Sequence, residues 1–140
     1  MAWQYQIALE CGRSAESAAK CRAFLDQLSS GQENAFISQS QDSDGNQWVS
    51  FNLPQNAISE DKWEEISPEL WDQVASKLEF RFGFCGLEVE QVRTLEELRE
   101  DENDWAIFKH VALSESIWRS LGSPAGFKKV SHAMMQWIGK

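Results

Sequence analysis

Cysteine and histidine are scarce in this chain, with three of the first and two of the second among 140 residues. Cys11, Cys21 and Cys85 are odd in number and none belongs to a C-x-x-C pair. That pattern argues against a disulfide framework and for reduced, buried thiols in a cytoplasmic setting. His110 and His132 have no second histidine or cysteine at ligand spacing. A tetrahedral zinc site needs four ligands, so neither a metal nor a cofactor is expected. A nucleophilic Cys–His pair, Cys85 with either histidine, has no local support and would have to be assembled in space.

Long apolar runs are missing as well. Nothing approaches the ~18–20 continuous apolar residues that a bilayer span requires. The opening residues MAWQYQIALECG alternate polar with apolar and carry no basic leader, so a signal peptide is not expected. Positive charge is short too: 13 Lys and Arg face 22 Asp and Glu, for a net −9. Nucleic-acid affinity comes largely from cations that displace phosphate counterions, so a nucleic-acid partner is not expected either. Arg81-Phe82-Gly83-Phe84 resembles a fragment of the aromatic RNA-binding signature of RRM domains. It lies inside the most acidic part of the chain and reads as the apolar face of a strand.

What the chain does have is aromatic bulk and sorted charge. Seven Trp and eight Phe can fill the core of a single domain over residues 1–140. From Asn56 to Asp104 there are 15 acids and 5 bases, a charge of −10, whereas Trp105 to Lys140 carries +4. Segregation of this kind favours a surface that meets another macromolecule.

The local patterns define a series of elements. Trp3, Tyr5, Ile7 and Leu9 alternate with Gln4, Gln6 and Ala8, which predicts a strand with one buried face. Ser14 then caps a helix whose stripe is Ala18, Cys21, Leu25 and Leu28, stopped near Gly31. Ala35–Gln41 and Gln47–Leu53 read as a hairpin around Asp42-Ser43-Asp44-Gly45-Asn46. A calcium loop aligned on Gly45 would need its closing Glu where Phe51 stands, so the turn reading is preferred. After a short helical turn at Ser59–Glu65, Ser67-Pro68-Glu69 predicts a helix start, with Leu70, Trp71, Val74 and Leu78 along one face. Phe80, Phe82 and Phe84 predict the next strand, with a bulge or turn at Gly86.

This order is βαββαβ, and the predicted class is α+β: an antiparallel sheet with helices on one face in ferredoxin-like order. A helical C-terminal extension is expected to follow. Thr94-Leu95-Glu96-Glu97 is a capping box for a short acidic helix. Trp105–Leu113 suits a strand or a helix, and the strand is preferred because Ser114 starts a fresh helix that stops at Gly122. Ser123-Pro124 predicts a last helix with Phe127, Val130, Met134, Trp137 and Ile138 as its stripe.

Two acidic clusters stand out: Asp61, Glu64 and Glu65, then Glu96, Glu97, Glu100, Asp101, Glu102 and Asp104, followed by Trp105. Runs of carboxylates are solvated faces more often than acid–base pairs, and as a docking surface they suit a basic protein. The acids are expected to gather on one outer patch edged by unburied aromatic rings. The expected partner-binding residues are therefore Glu96, Glu97, Glu100, Asp101, Glu102, Asp104 and Trp105, with no catalytic residue. The function expected is a small acidic protein-binding module, of the inhibitor or immunity type, that masks a basic partner such as a nuclease. Two alternatives remain: a small-molecule binder or enzyme built on the sheet, and a homo-oligomeric assembly factor, as a homodimer for instance, whose basic tail packs on a neighbour's acids.

Overall fold

The computed structural model describes residues 4–87 and 110–139. Within them the elements are β1 (Gln4–Glu10), α1 (Ala15–Ser30), β2 (Phe36–Gln41), β3 (Gln47–Pro54), a 3-10 turn (Gln55–Ala57), α2 (Glu60–Lys77), β4 (Phe82–Leu87), β5 (His110–Ser114), α3 (Glu115–Ser120), β6 (Phe127–Lys129) and β7 (Met134–Trp137). The strands form one antiparallel sheet in the order β2-β3-β1-β4-β5-β7-β6. The class is α+β as expected, but the sheet runs to seven strands, beyond the four of a ferredoxin-like order.

Local signals account for the first elements. Ser14 caps α1 by accepting the Ser17 N–H at 3.1 Å, and Gly31 closes it on the Leu28 carbonyl. The β2–β3 turn is held by Asp42, whose N–H donates to the Asn46 carbonyl at 3.0 Å. Its carboxylate accepts the Asp44 and Asn46 N–H groups, each at 3.0 Å. Those bonds, against the opposing pull of burial, hold the Asp42 carboxyl below its ordinary range.

Three expectations about individual elements after β3 need correction. The helix predicted to start at Ser67-Pro68 starts at Glu60, capped by Ser59 on the Lys62 N–H, and runs through Pro68. Trp63, Ser67, Trp71 and Val74 form one uninterrupted buried stripe, so packing of two indoles offsets the ~3 kcal/mol cost of an interior proline. At Gly86 there is no bulge, because β4 keeps register with β1 through Gln6↔Gly86 and Tyr5↔Leu87.

The third correction is the largest: the C-terminal extension is not a helix beyond α3 but the β6–β7 hairpin. Phe127, Val130, Met134 and Trp137 have helical spacing, yet they are also placed symmetrically about His132. The hairpin uses that symmetry, with Phe127 opposite Trp137 and the Val130 N–H donating to the Met134 carbonyl at 3.0 Å. β7 lies between β5 and β6, so Met134 and Met135 are both buried, on opposite faces. A helix stripe would have buried only one of them.

The helices do not all lie on one face of the sheet as predicted but divide between both. α1 and α2 cover one face over Ile7, Leu9, Leu25, Phe51, Trp71 and Phe80. Ile117 of α3 joins Ala8, Phe82, Phe84, Val111 and Leu113 on the other. β1, between β3 and β4, is therefore buried on both sides, and its second face is not solvated as predicted. Gln6 and Asn52 meet there, the Gln6 amide donating to Asn52 at 2.8 Å. Among the described residues no helix is long and apolar enough to cross a membrane.

Candidate functional site

The predicted partner-binding residues Glu96, Glu97, Glu100, Asp101, Glu102, Asp104 and Trp105 lie outside the described residues. What the structure does show of the acidic segment is α2. Its six carboxylates, on Glu60, Asp61, Glu64, Glu65, Glu69 and Asp72, are all exposed. Asp61, Glu65, Glu69 and Asp72 are spaced by four, four and three residues, which places them on one outer ridge opposite the buried stripe. The helix carries two lysines, Lys62 and Lys77, and Lys62 pairs with Glu65 at 3.6 Å in solvent. Two of these acids act on the core below. Burial raises the Tyr5 phenol above its ordinary range, and the fields of Glu60 and then Glu64 push it the same way.

The basic tail is not spent on this ridge by ion pairing of Lys129, whose ammonium goes instead to Glu115 on α3 at 3.3 Å. Glu115 also accepts Arg119 at 2.7 Å, and the bonds from Lys129 and Arg119 hold its carboxyl below the ordinary range. The contact between α2 and the hairpin is a hydrogen bond from a neutral amide, Gln136 donating to Asp72 at 2.7 Å. Beside it lies a surface cleft of ≈ 460 Å³ between Asp72, Ser76, Lys128, Lys129 and Ile138.

Among the described residues no unburied Trp ring edges this ridge; Trp105, the ring expected beside the acids, lies outside them. Trp63 and Trp71 lie beneath α2, 4% and 0% exposed, with Trp63 stacked on Tyr5 at 4.8 Å. Trp48, Trp118 and Trp137 are half-buried on the opposite face of the sheet. The apolar groups beside α2 are aliphatic. Leu87 is paired with Tyr5, whose phenol feels Glu60 and Glu64, and Ile138 lines the Asp72 cleft; they are 42% and 64% exposed.

Other constellations carry less chemistry. Cys85 and His110 are brought directly opposite each other on β4 and β5. Burial, with Glu64 adding to it, pushes the Cys85 thiol far above the ordinary range, which is the reverse of what a nucleophile needs. His132 pairs with Glu79 at 2.7 Å on the surface. Cys21, hydrogen-bonded to Cys11 and buried, is likewise pushed well above the ordinary thiol range.

Glu10 carries no signal in the sequence, where it is one more polar residue at a strand end. It is 2% exposed, accepts the Gly12 N–H, and pairs with Arg81 at 3.3 Å, while Arg81 also donates to Asn46 at 3.0 Å. Burial raises its carboxyl above the ordinary range, with Gly12 and Arg81 opposing. Every partner in this group belongs to a loop or strand end, so it ties the 11–14, 42–46 and 78–81 connections together. For the ridge, the signal present in the sequence is the i, i+4 recurrence of carboxylates from 60 to 72, obscured when the helix is split at Pro68. Comparison with protein-family models, with curated proteins and with solved structures finds no match.

Proposed function

We propose that this chain is a small acidic protein-binding module that docks the outer face of α2 on a basic partner and masks it, as an inhibitor or immunity-type protein would mask a nuclease. The observation that carries the reading is the exposed carboxylate ridge of α2. Its four acids, Asp61, Glu65, Glu69 and Asp72, at a rise of 1.5 Å per residue give roughly one negative charge per 5.5 Å along the ridge. One strand of B-DNA offers one per ~3.4 Å, so the helix presents a basic groove with a charge density of similar order. A ridge of this kind speeds encounter and selects partners by sign, while Leu87 and Ile138 supply apolar contact beside it. Glu96, Glu97, Glu100, Asp101, Glu102, Asp104 and Trp105, outside the described residues, are proposed as further partner-binding residues on the sequence alone.

The fold reading that accompanies it is a ferredoxin-like first half extended by three strands. Its support is the chain order β1-α1-β2-β3-α2-β4 together with the spatial order β2-β3-β1-β4.

The test is affinity for a panel of basic nucleases across ionic strength, with two variants that each remove four charges. Asp61→Asn/Glu65→Gln/Glu69→Gln/Asp72→Asn empties the ridge; Glu16→Gln/Asp26→Asn/Glu33→Gln/Asp44→Asn leaves it intact. Binding that fades with salt, survives in the second variant and vanishes in the first is the expected result. Negligible binding at every salt concentration, or equal loss in both variants, would remove the reading.

A further inference from the structure

The two edges of the sheet are built differently. β6 is three residues long and two of them are lysines, a short charged edge that resists pairing with other chains. β2, at the other edge, is six residues long, Phe-Ile-Ser-Gln-Ser-Gln, without a charge or a proline.

The register shows which backbone groups β2 leaves open. Asp42 bonds to Asn46 across the turn, and Ser40, Ser38 and Phe36 lie opposite Trp48, Ser50 and Asn52. Because bonding alternates along an antiparallel pair, Phe36, Ser38 and Ser40 point their N–H and C=O groups to β3, and Ile37, Gln39 and Gln41 point theirs outward. The edge is open to solvent: Phe36 is 48% exposed, and Gln39, Ser40 and Gln41 are exposed as well.

We infer that β2 is a self-association edge that pairs antiparallel with β2 of a second copy of this chain, across a two-fold axis at Gln39. In that register Gln39 faces its own copy and Ile37 faces Gln41 of the other molecule, so all the outward groups of both strands are bonded. Ser38 falls opposite Ser40, and each pleat keeps its faces matched. Charge favours a second copy here. A two-fold contact brings identical surfaces together, so charge of one sign at the seam would repel, and Ala15–Gln41, which contains α1 and β2, holds three acids and two bases. On α1, Lys20 pairs with Glu16 and Arg22 with Asp26, and Arg22 also donates to Gln39 at 3.1 Å. The nearly neutral edge meets its own copy with little like-charge repulsion, and this pairing leaves the α2 ridge free. This dimer does not depend on the function proposed above.

Sedimentation over a concentration series tests it, together with cysteine cross-linking. The three native cysteines are buried, so an introduced surface thiol reports alone. Gln39→Cys should form a covalent dimer on mild oxidation, since opposite residues of a bonded pair lie ~5.5 Å apart. Gln41→Cys should not, because its two copies are about 14 Å apart along the strands. Gln39→Lys should return the dimer to monomer at the same concentration, while the α2 ridge variant dimerises as the parent does. A monomer at every concentration, a dimer indifferent to Gln39→Lys, or Gln41→Cys cross-linking as readily as Gln39→Cys would overturn the inference.

Discussion

Glu10 and Asp42 are carboxylates in opposite situations, and stability should follow pH with opposite sign at each. Burial raises the Glu10 carboxyl, so its contribution is complete below the unfolded-state value, near 4.3, and is lost as pH rises through the folded value. Asp42 is lowered by the bonds of its turn, so its contribution is present above the unfolded value and lost as pH falls through the folded one. In urea unfolding, Glu10→Gln should therefore gain on the parent between pH 4 and pH 7. Asp42→Asn should instead fall behind it at lower pH, as pH rises from about 2 to about 5 through the folded and unfolded values. Arg81→Met leaves Glu10 buried without its cation. It should cost about 2 kcal/mol at pH 7, less than a fully buried pair because the Arg81 side chain is 35% exposed, and much of that should return in Glu10→Gln/Arg81→Met.

α2 and the β6–β7 hairpin show how an element can override its local signals. Pro68 interrupts the α2 ladder at an exposed position, and the helix persists because Trp63 and Trp71 anchor both sides of it. Pro68→Ala should restore one backbone bond and raise stability by about 1 kcal/mol in urea unfolding, part of the usual proline penalty being recovered. In the hairpin, Gly126 has φ 94° and supports the Trp137 ring where a Cβ would stand. Its carbonyl accepts the Ile138 N–H at 2.8 Å. Gly126→Ala combines a strained backbone with displacement of that ring and should cost about 2 kcal/mol, seen as a lower urea midpoint.

At the scale of the molecule, charge works against the fold that carries it. The α2 ridge places like charges at i, i+4 on a chain already at −9. Raising salt from low to physiological should stabilise the parent by about 1 kcal/mol, as screening relieves the repulsion, and the α2 ridge variant should respond much less. Thermal melts at both ionic strengths check this. On the proposed masking function, contact with a basic protein would offset that repulsion.

By itself the sequence determined the order of the elements from β1 to β4, though not where α2 starts, and the acidity of the middle segment. Caps, turns and hydrophobic period act between near neighbours in the chain, so Ser14, Gly31 and the Asp42–Asn46 turn are legible from the residues alone. The exposed ridge is half legible, since the carboxylate spacing is there but Pro68 reads as a break in the helix. Only the tertiary structure decided that the tail folds as a hairpin, because Phe127, Val130, Met134 and Trp137 satisfy both periods and the free partner beside β5 settles which one is used. It also decided that β1 is covered on both faces, that Trp63 and Trp71 serve the core rather than a partner, and that Glu10 meets Arg81. Each of these is a contact between distant parts of the chain, and no local pattern encodes which distant surface will cover a given face.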